Sequence, residues 1–363
     1  MEPTLCLSMI VRNEERFLPQ CLKSVQDVVD DIVIVDTGST DRTLDIAREH
    51  NARVYEHPWE HSFAKARNQS LSYVHSDWVL ILDADEELDK DAGPILREAL
   101  SGNEYNAIAG TVISHHRGGM AKHTSIRAVR NLPTGVYWQR RVHNQVMFPG
   151  FAQFFPFTIY HHGYNLSPEE MKAKDLRTYK LLRASLRDEP DDPFTHGYLA
   201  VALQHLGHYK ASIKHAKRAA KLWEQTTDGT GMVLNAWYTC ANSYVGLGDI
   251  KGVERSVRKA LKIWPDYADC WFLLGGCLAD QPGREGDAVS ALMRYMEANE
   301  KAIQSPSPGN VIQNCLRRGE DAIRTIGILQ QRLAQAQVRQ LSEGGCLETA
   351  PHVMPPADGG GAA

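Results

Sequence analysis

VLILDADEE, residues 79–87, is an apolar run that ends in four acids among five residues. Its apolar part shows no alternation and reads as a strand buried on both faces. The acids pose a question, because crowded carboxylates raise one another's pKa unless a cation or solvent relieves them. Two resolutions stand at this point. The acids open into water at a helix start, where negative charge is favoured, or something positive belongs among them.

Working outward, LCLSMIV (5–11), DIVIVD (31–36) and ARVYEH (52–57) are three more strand candidates. Helical patterns separate them, at about 15–27, at 40–50 with Thr40 as its cap, at 63–74 and, after the acids, at about 91–100. Continuous apolar strands alternating with helices predict a mostly parallel sheet covered on both faces. Between 105 and 160 the segments NAIAGTVIS, HTSIRAVRN, GVYWQRRV and FFPFTIY predict a mixed or antiparallel extension of that sheet.

From Ser167 onward one helix follows another. Residues 198–223 read as helix, glycine turn and helix; 236–265 repeats the pattern, and 268–296 is a looser third copy. Self-similar helix pairs predict a solenoid in which each pair buries its apolar face on the next. The expected fold class is therefore α/β followed by an all-α repeat. The expected domains are residues 1–165 and 166–341, with a Gly/Pro/Ala-rich, disordered tail over 342–363.

Composition narrows the function. The chain is 43% hydrophobic and 23% charged, with a net charge of −4, which makes no electrostatic case for a nucleic-acid binder. Seven cysteines are scattered, odd in number and never in a CxxC pair. That argues against a disulfide framework or zinc knuckle and for a reducing compartment. No basic leader with an apolar run opens the sequence, and no stretch approaches a bilayer span. The expected location is cytoplasmic.

In an open α/β sheet, ligands bind beyond the carboxyl ends of the strands. Strand one ends in Ser8 to Glu14, strand two in Asp36 to Arg42, and strand four in Asp83, Ala84, Asp85 and Glu86. Acids, hydroxyls and an arginine converging on one edge suit a nucleoside diphosphate with Mg²⁺ or Mn²⁺. Those ions take one or two carboxylates plus substrate phosphates. Arg67 adds positive charge near the phosphates. The absence of GxGxxG and Walker A stretches counts against dinucleotide redox and ATPase chemistry.

The run CLSMIVRNEERFLPQCLKSV, DIVIVDTGSTDRTLDIA, FAKARNQSL and WVLILDADEEL resembles the family 2 glycosyltransferases of the GT-A fold. It is most similar to a bacterial branch in which a short transferase domain precedes tetratricopeptide-like helices, and the resemblance covers roughly residues 4–300. It implies an inverting transfer from a nucleotide-diphospho-sugar, UDP-linked by preference. Asp36 would contact the base, Asp83 and Asp85 form the DxD metal motif with Asp85 the direct ligand, and Arg67 and Asn68 lie at the nucleotide. The expected donor-binding set adds Ser8, Ile10, Arg12, Asn13, Glu14, Ser39 and Ala84. His143 would complete a Mn²⁺ or Mg²⁺ site. The helical repeats would orient an acceptor protein or glycan, or mediate self-association.

One feature departs from that family pattern: no Asp or Glu occurs between Glu104 and Glu169, where the catalytic base is expected. Three explanations stand. The base is Glu86, Glu87 or a histidine such as His143; the acceptor needs little deprotonation; or the domain is a degenerate nucleotide-sugar binder serving a non-catalytic repeat protein. A sugar nucleotidyltransferase would want a glycine-rich N-terminal loop, which MIVRNEE lacks.

Blander readings apply elsewhere. Asp41 suits turn or cap chemistry. His115-His116 and His161-His162 are adjacent on strands, so each pair points to opposite faces and suits packing or an acceptor cleft better than zinc. Trp223, Trp237, Trp264 and Trp271 fall at core spacing. The Lys/Arg-rich faces over 210–221 and 251–262 read as solvated surface or as a dock for an acidic partner.

Overall fold

The computed structural model describes residues 2–116, 119–163, 167–224, 230–304, 313–316 and 318–344. Its first half alternates as expected: β1 (Leu5–Val11), α1 (Leu18–Val25), β2 (Asp31–Asp36), α2 (Thr43–Glu49), β3 (Arg53–Glu56), α3 (Phe63–Ser72) and β4 (Trp78–Ile81). There follow β5 (Glu86–Leu88), α4 (Ala92–Leu100), β6 (Ala107–His116), β7 (Gly119–Arg130), β8 (Tyr137–Gln139), β9 (Gln145–Met147) and β10 (Ala152–His161). The main sheet runs β3-β2-β1-β4-β7-β6-β10-β5, and β8 with β9 forms a separate ribbon. Strands β1 to β4 pair in parallel, and β7 is antiparallel to both β4 and β6. The expected mixed, mostly parallel sheet is what forms.

Two expectations are corrected. Helix α2 starts at Thr43 rather than at a Thr40 cap, because the Thr40 amide donates to Asn13 Oδ1 at 2.8 Å. Asp41 supplies the turn chemistry, its Oδ1 accepting from the Thr43 amide at 3.0 Å. The acids after β4 do not open a helix. Glu86 to Leu88 form a short strand antiparallel to β10, with Glu86 opposite His161 and Glu87 opposite Tyr160.

The second half comprises α5 (Pro168–Asp188), α6 (Pro193–His205), α7 (Tyr209–Trp223), α8 (Thr230–Gly246), α9 (Ile250–Ile263), α10 (Ala268–Ala279) and α11 (Glu285–Gln304). After these come β11 (Gln313–Leu316) and α12 (Gly319–Gly344). Ser167 and Glu170 close a capping box at the start of α5. The pairs α6–α7, α8–α9 and α10–α11 match the three copies seen in the sequence. Trp223, Trp237, Trp264 and Trp271 all pack on the core of this half. None of the described helices is long and apolar enough to cross a membrane. The six described cysteines are free thiols. Helix α12 runs on to Gly344, so the first three residues of the tail expected to be disordered, 342–344, are helical; the rest of that tail, with Cys346, lies outside the described residues.

Strand β11 is unanticipated. The carboxyl end of β7 pairs with β4, and its amino end pairs with β11, at Lys122 and Met120. A strand from the helical half thus continues the sheet edge where β4 stops. Two apolar clusters also span the halves. Val142 packs with Leu181, Leu182, Leu199 and Leu203, and Met120 packs with Ala302 and Leu316.

Candidate functional site

The carboxyl ends of β1 and β2 carry loops that are laced together. Asn13, in the left-handed region at φ 56°, donates its amide to Ser39 Oγ at 2.9 Å. The Glu14 amide donates to Thr43 Oγ1 at 2.7 Å. Asp36 is buried at the end of β2, and its carboxylate accepts the amides of Gly38 and Ser39 at 2.9 and 3.0 Å and the Ser39 hydroxyl. Gly38 makes this turn with φ 110°, a conformation that side chains resist. Arg12 stands exposed beside the turn, and Ile10 is partly buried.

The end of β4 supplies the acids. Asp83 accepts a hydrogen bond from the buried Arg67 of α3, whose guanidinium also lies 4.7 Å from the Trp138 ring centre. Burial works to raise the Asp83 pKa, but the Arg67 and Arg127 charges prevail and lower it. Asp85 Oδ2 lies 3.3 Å from His161 Nε2, and His161 Nδ1 lies 3.3 Å from Ser114 Oγ. Burial would lower the His161 pKa, yet the Asp85 hydrogen bond and the neighbouring acids raise it. Glu14 faces the same group. Burial, then Asp85, Asp83 and Asp41, push it up to about 7.

Glu86 turns to the other side of β5 from Glu87. Its two oxygens take Arg127 Nη1 and Nη2 at 2.8 Å each, and Oε2 also accepts the Asp83 amide at 2.9 Å. Both partners are buried. Glu87 instead accepts from Gln20 at 2.5 Å and lies 3.0 Å from His162 Nε2, away from the cleft described next.

A cleft of about 580 Å³ opens beside these groups. It is lined by Asp83, Glu86 and Arg127, by Ser114, His123 and His161, by Arg67 and Trp138, and by His143 to Met147. The helical half reaches in through Phe194 and Tyr198 of α6. Burial, with Arg127 and His161 nearby, pushes His123 down to about 4, so its ring is neutral.

The expected residues therefore divide. Asp36, Ser39, Asn13, Glu14, Arg67, Asp83 and Asp85 gather at one sheet edge. Ser8 is spent on Ser70 Oγ at 2.7 Å, and Ala84 is buried in the core. The Asn68 amide clips β8 by bonding both the carbonyl and the amide of Trp138, at 2.9 and 2.7 Å, so it serves the ribbon. The imidazole in contact with Asp85 is that of His161, not His143, whose ring stacks on Tyr198 at 3.6 Å. The expectation that Glu86 or Glu87 is a free base meets two carboxylates already engaged, one by Arg127 and one by Gln20. The side chains of His115 and His116 lie outside the described residues. Arg127, Ser114, Trp138, Tyr198 and Gly163 escaped the sequence reading. Only Arg127 left a signal, a cation set between Ile126 and Ala128 in the strand candidate HTSIRAVR.

An open α/β sheet with acids, hydroxyls and an arginine at its carboxyl edge is the class of domain that binds its ligands beyond the strand ends. The model of glycosyl transferase family 2 matches residues 6–163 of the chain. A TPR repeat-containing protein of Synechococcus elongatus is 35% identical over 59% of this chain and 56% of its own length. The prophage-derived glycosyltransferase SunS of Bacillus subtilis is 28% identical over 62% of this chain and 55% of its own. The chain thus spans about half the length of the curated relatives it matches. Glucosyl-3-phosphoglycerate synthase of Mycobacterium tuberculosis aligns at a TM-score of 0.28 and 23% identity, over 30% of this chain and 45% of that one. A complex of that synthase with Mn²⁺ and UDP aligns at 0.26, with 25% identity over 32% and 45%.

Proposed function

We propose that this chain is a divalent-metal-dependent, inverting glycosyltransferase that uses a nucleotide-diphospho-sugar, with UDP as the favoured carrier. The observation that carries the reading is the acid group Glu14, Asp83 and Asp85, set at the sheet edge of a family 2 segment and beside the 580 Å³ cleft.

The residues fit a metal that shares its coordination with substrate. Among the described residues no three candidate ligands converge into a closed cage, whereas Mg²⁺ and Mn²⁺ in phosphate sites use few protein ligands. Asp85 and His161 would hold the ion, and Gly163 keeps the space open: a Cβ there would sit 1.9 Å from Asp85 Oδ2. Burial first, and then the negative charges of Asp85 and Asp83, push the Glu14 carboxyl up at the same place. When bound, the ion would neutralise charge on the departing diphosphate.

The chain's own groups do the rest. Arg67, held by Asp83 and stacked on Trp138, presents a fixed cation beside the diphosphate. The laced 13–14 and 36–43 loops form the nucleotide's bed, with Asp36 shaping the turn. His143 is assigned as the base, because it lines the cleft and no carboxylate engages it among its described contacts. It would take the acceptor's proton as the acceptor bonds to the anomeric carbon and the nucleoside diphosphate leaves from the opposite face. Phe194 and Tyr198 would contact the acceptor from the helical half. This is one way repeats can orient a substrate.

The test is release of free nucleotide from a panel of UDP- and GDP-sugars with Mn²⁺. One donor should be slowly hydrolysed, and Asp85→Asn should abolish the release. The engaged state of Glu86 favours a second reading, a degenerate donor-binding domain on a repeat scaffold. Saturable donor binding with no turnover over a broad acceptor panel would select it.

A further inference from the structure

Helix α7 carries five cations and no acid, and α9 carries five cations and one acid, Glu254. Together they hold ten of the 40 basic residues and one of the 44 acidic ones. On α7, Lys210, Lys214, Lys217 and Lys221 are all exposed and recur at i, i+4, i+7 and i+11, which is one helical face. Aligning Gly207 with Gly248 superposes that row on Lys251, Arg255, Arg258 and Lys262 of α9, also exposed. Repeats stack by small rotations, so equivalent positions share one side of a solenoid. Both helices pack on α8: Lys217 Nζ bonds Tyr244 Oη at 2.9 Å, and Lys259 Nζ lies 4.0 Å from the Trp237 ring centre.

A solvated face does not require this. Ordinary surface helices intersperse charges of both signs and gain from i,i+4 pairs. Among the described residues, none of the four α7 lysines forms an ion pair with an acid, and the α9 pairs are loose, at 3.7 and 3.8 Å. The pattern is also confined. The corresponding positions of the next repeat are Gly286, Ser290, Met293 and Glu297, so the helical-pair fold itself does not demand cations there.

We propose that the α7–α9 face docks a short acidic polypeptide segment of a protein partner. Size and surroundings select this partner. Each row spans roughly 16 Å at the helical rise, and the rest of the chain carries 43 acidic against 30 basic residues. A nucleic-acid duplex or a bilayer would overhang the patch and meet that acidic remainder. A bilayer also wants an apolar side, whereas Ile213, Ala216, Val253 and Val257 are committed to the helical core. A short run of Asp and Glu meets only the two rows of lysine and arginine. Helix α6, which walls the cleft, packs directly against α7, with Ser212 Oγ donating to the Ala200 carbonyl at 2.7 Å. A partner held on this face therefore lies one helix from the site. The proposal rests on this surface alone and stands whether or not the domain transfers a sugar.

The experiment uses the full chain and a labelled poly-glutamate peptide of about ten residues, with the matching poly-glutamine as control, read by anisotropy at about 50 and about 300 mM salt. Glutamate should bind at least about tenfold more tightly than glutamine and weaken severalfold at the higher salt, as exposed charge pairs do. The quadruple variant Lys214→Glu, Lys221→Glu, Arg255→Glu, Lys262→Glu should lose at least about tenfold in glutamate affinity, with its melting temperature and donor hydrolysis unchanged. Equal binding of the two peptides, or full binding by the variant, overturns the proposal. Tighter capture of phosphatidylserine vesicles or duplex DNA than of poly-glutamate overturns the partner class. A dimer that the variant abolishes and poly-glutamate cannot compete with would assign the face to a second copy instead.

Discussion

Gly163 leaves room for the Asp85 carboxylate. Replacing it with alanine would drive a methyl to within 1.9 Å of Asp85 Oδ2, so the carboxylate must leave its place beside His161. Gly163→Ala should weaken Mn²⁺-dependent donor binding by about tenfold to a hundredfold, the usual cost of disturbing a ligand's support. Titration calorimetry with UDP and Mn²⁺ checks it, and unchanged affinity would remove Asp85 from the proposed metal site. Glu14 gives a pH signature. Its native pKa of about 7 lies above the ordinary carboxyl value, so the native state holds a proton that the unfolded chain has released. Its contribution to stability is full below the unfolded pKa and is lost as pH rises toward and through about 7. Glu14→Gln should flatten that fall. Urea midpoints of both proteins from pH 5 to about 8, without metal, should converge at the acid end and separate at the alkaline end. Parallel curves would show that Glu14 titrates normally.

Strands β5 and β7 are joined by the buried Glu86–Arg127 pair, which also holds the Asp83 amide. Removing one member strands the other charge, so Arg127→Met should cost about 3–5 kcal/mol in urea unfolding. The double variant Glu86→Leu, Arg127→Met should recover most of that stability, because an apolar pair needs no ionic partner. Donor binding should stay impaired in the double variant, since the Asp83 amide has lost its acceptor. Recovery of both properties together would reduce the pair to packing. At this scale the sequence was legible where elements are regular. Strands β1 and β2 fall on the residues their apolar runs mark, because parallel strands covered on both faces must be continuously apolar. Strand β5 was invisible because three residues, two of them acidic, show no period. Only pairing with β10 makes them a strand.

The two halves of the molecule share strand β11 on the β7 edge and two apolar clusters around Val142 and Met120. A fragment ending at residue 166 would bare a sheet edge and both clusters, which invites association. It should melt below the full chain and elute as aggregates. A monomeric fragment with the full chain's melting temperature would show that the halves are energetically independent.

The same scale shows why some site residues could be read from the sequence and others could not. Glu14, Asp36, Asp83 and Asp85 were legible because strand ends of an open α/β sheet collect ligand-facing groups, and a strand end is a local feature; Arg67, in the middle of α3, was legible only through the motif FAKARNQSL. Which histidine meets Asp85 was not legible. His161 reaches it through β10, far along the chain, by way of the antiparallel pairing with β5. His143 is turned by its left-handed backbone onto Tyr198 of the other half. The sequence by itself determined the order of the elements, the change from α/β to repeats and the acids at the sheet edge, because these follow from period, turn chemistry and charge along short stretches. The tertiary structure decided which charges are paired, which histidine faces the acids and how the repeats close the cleft. Those depend on contacts between residues distant in the chain, and local pattern carries no record of them.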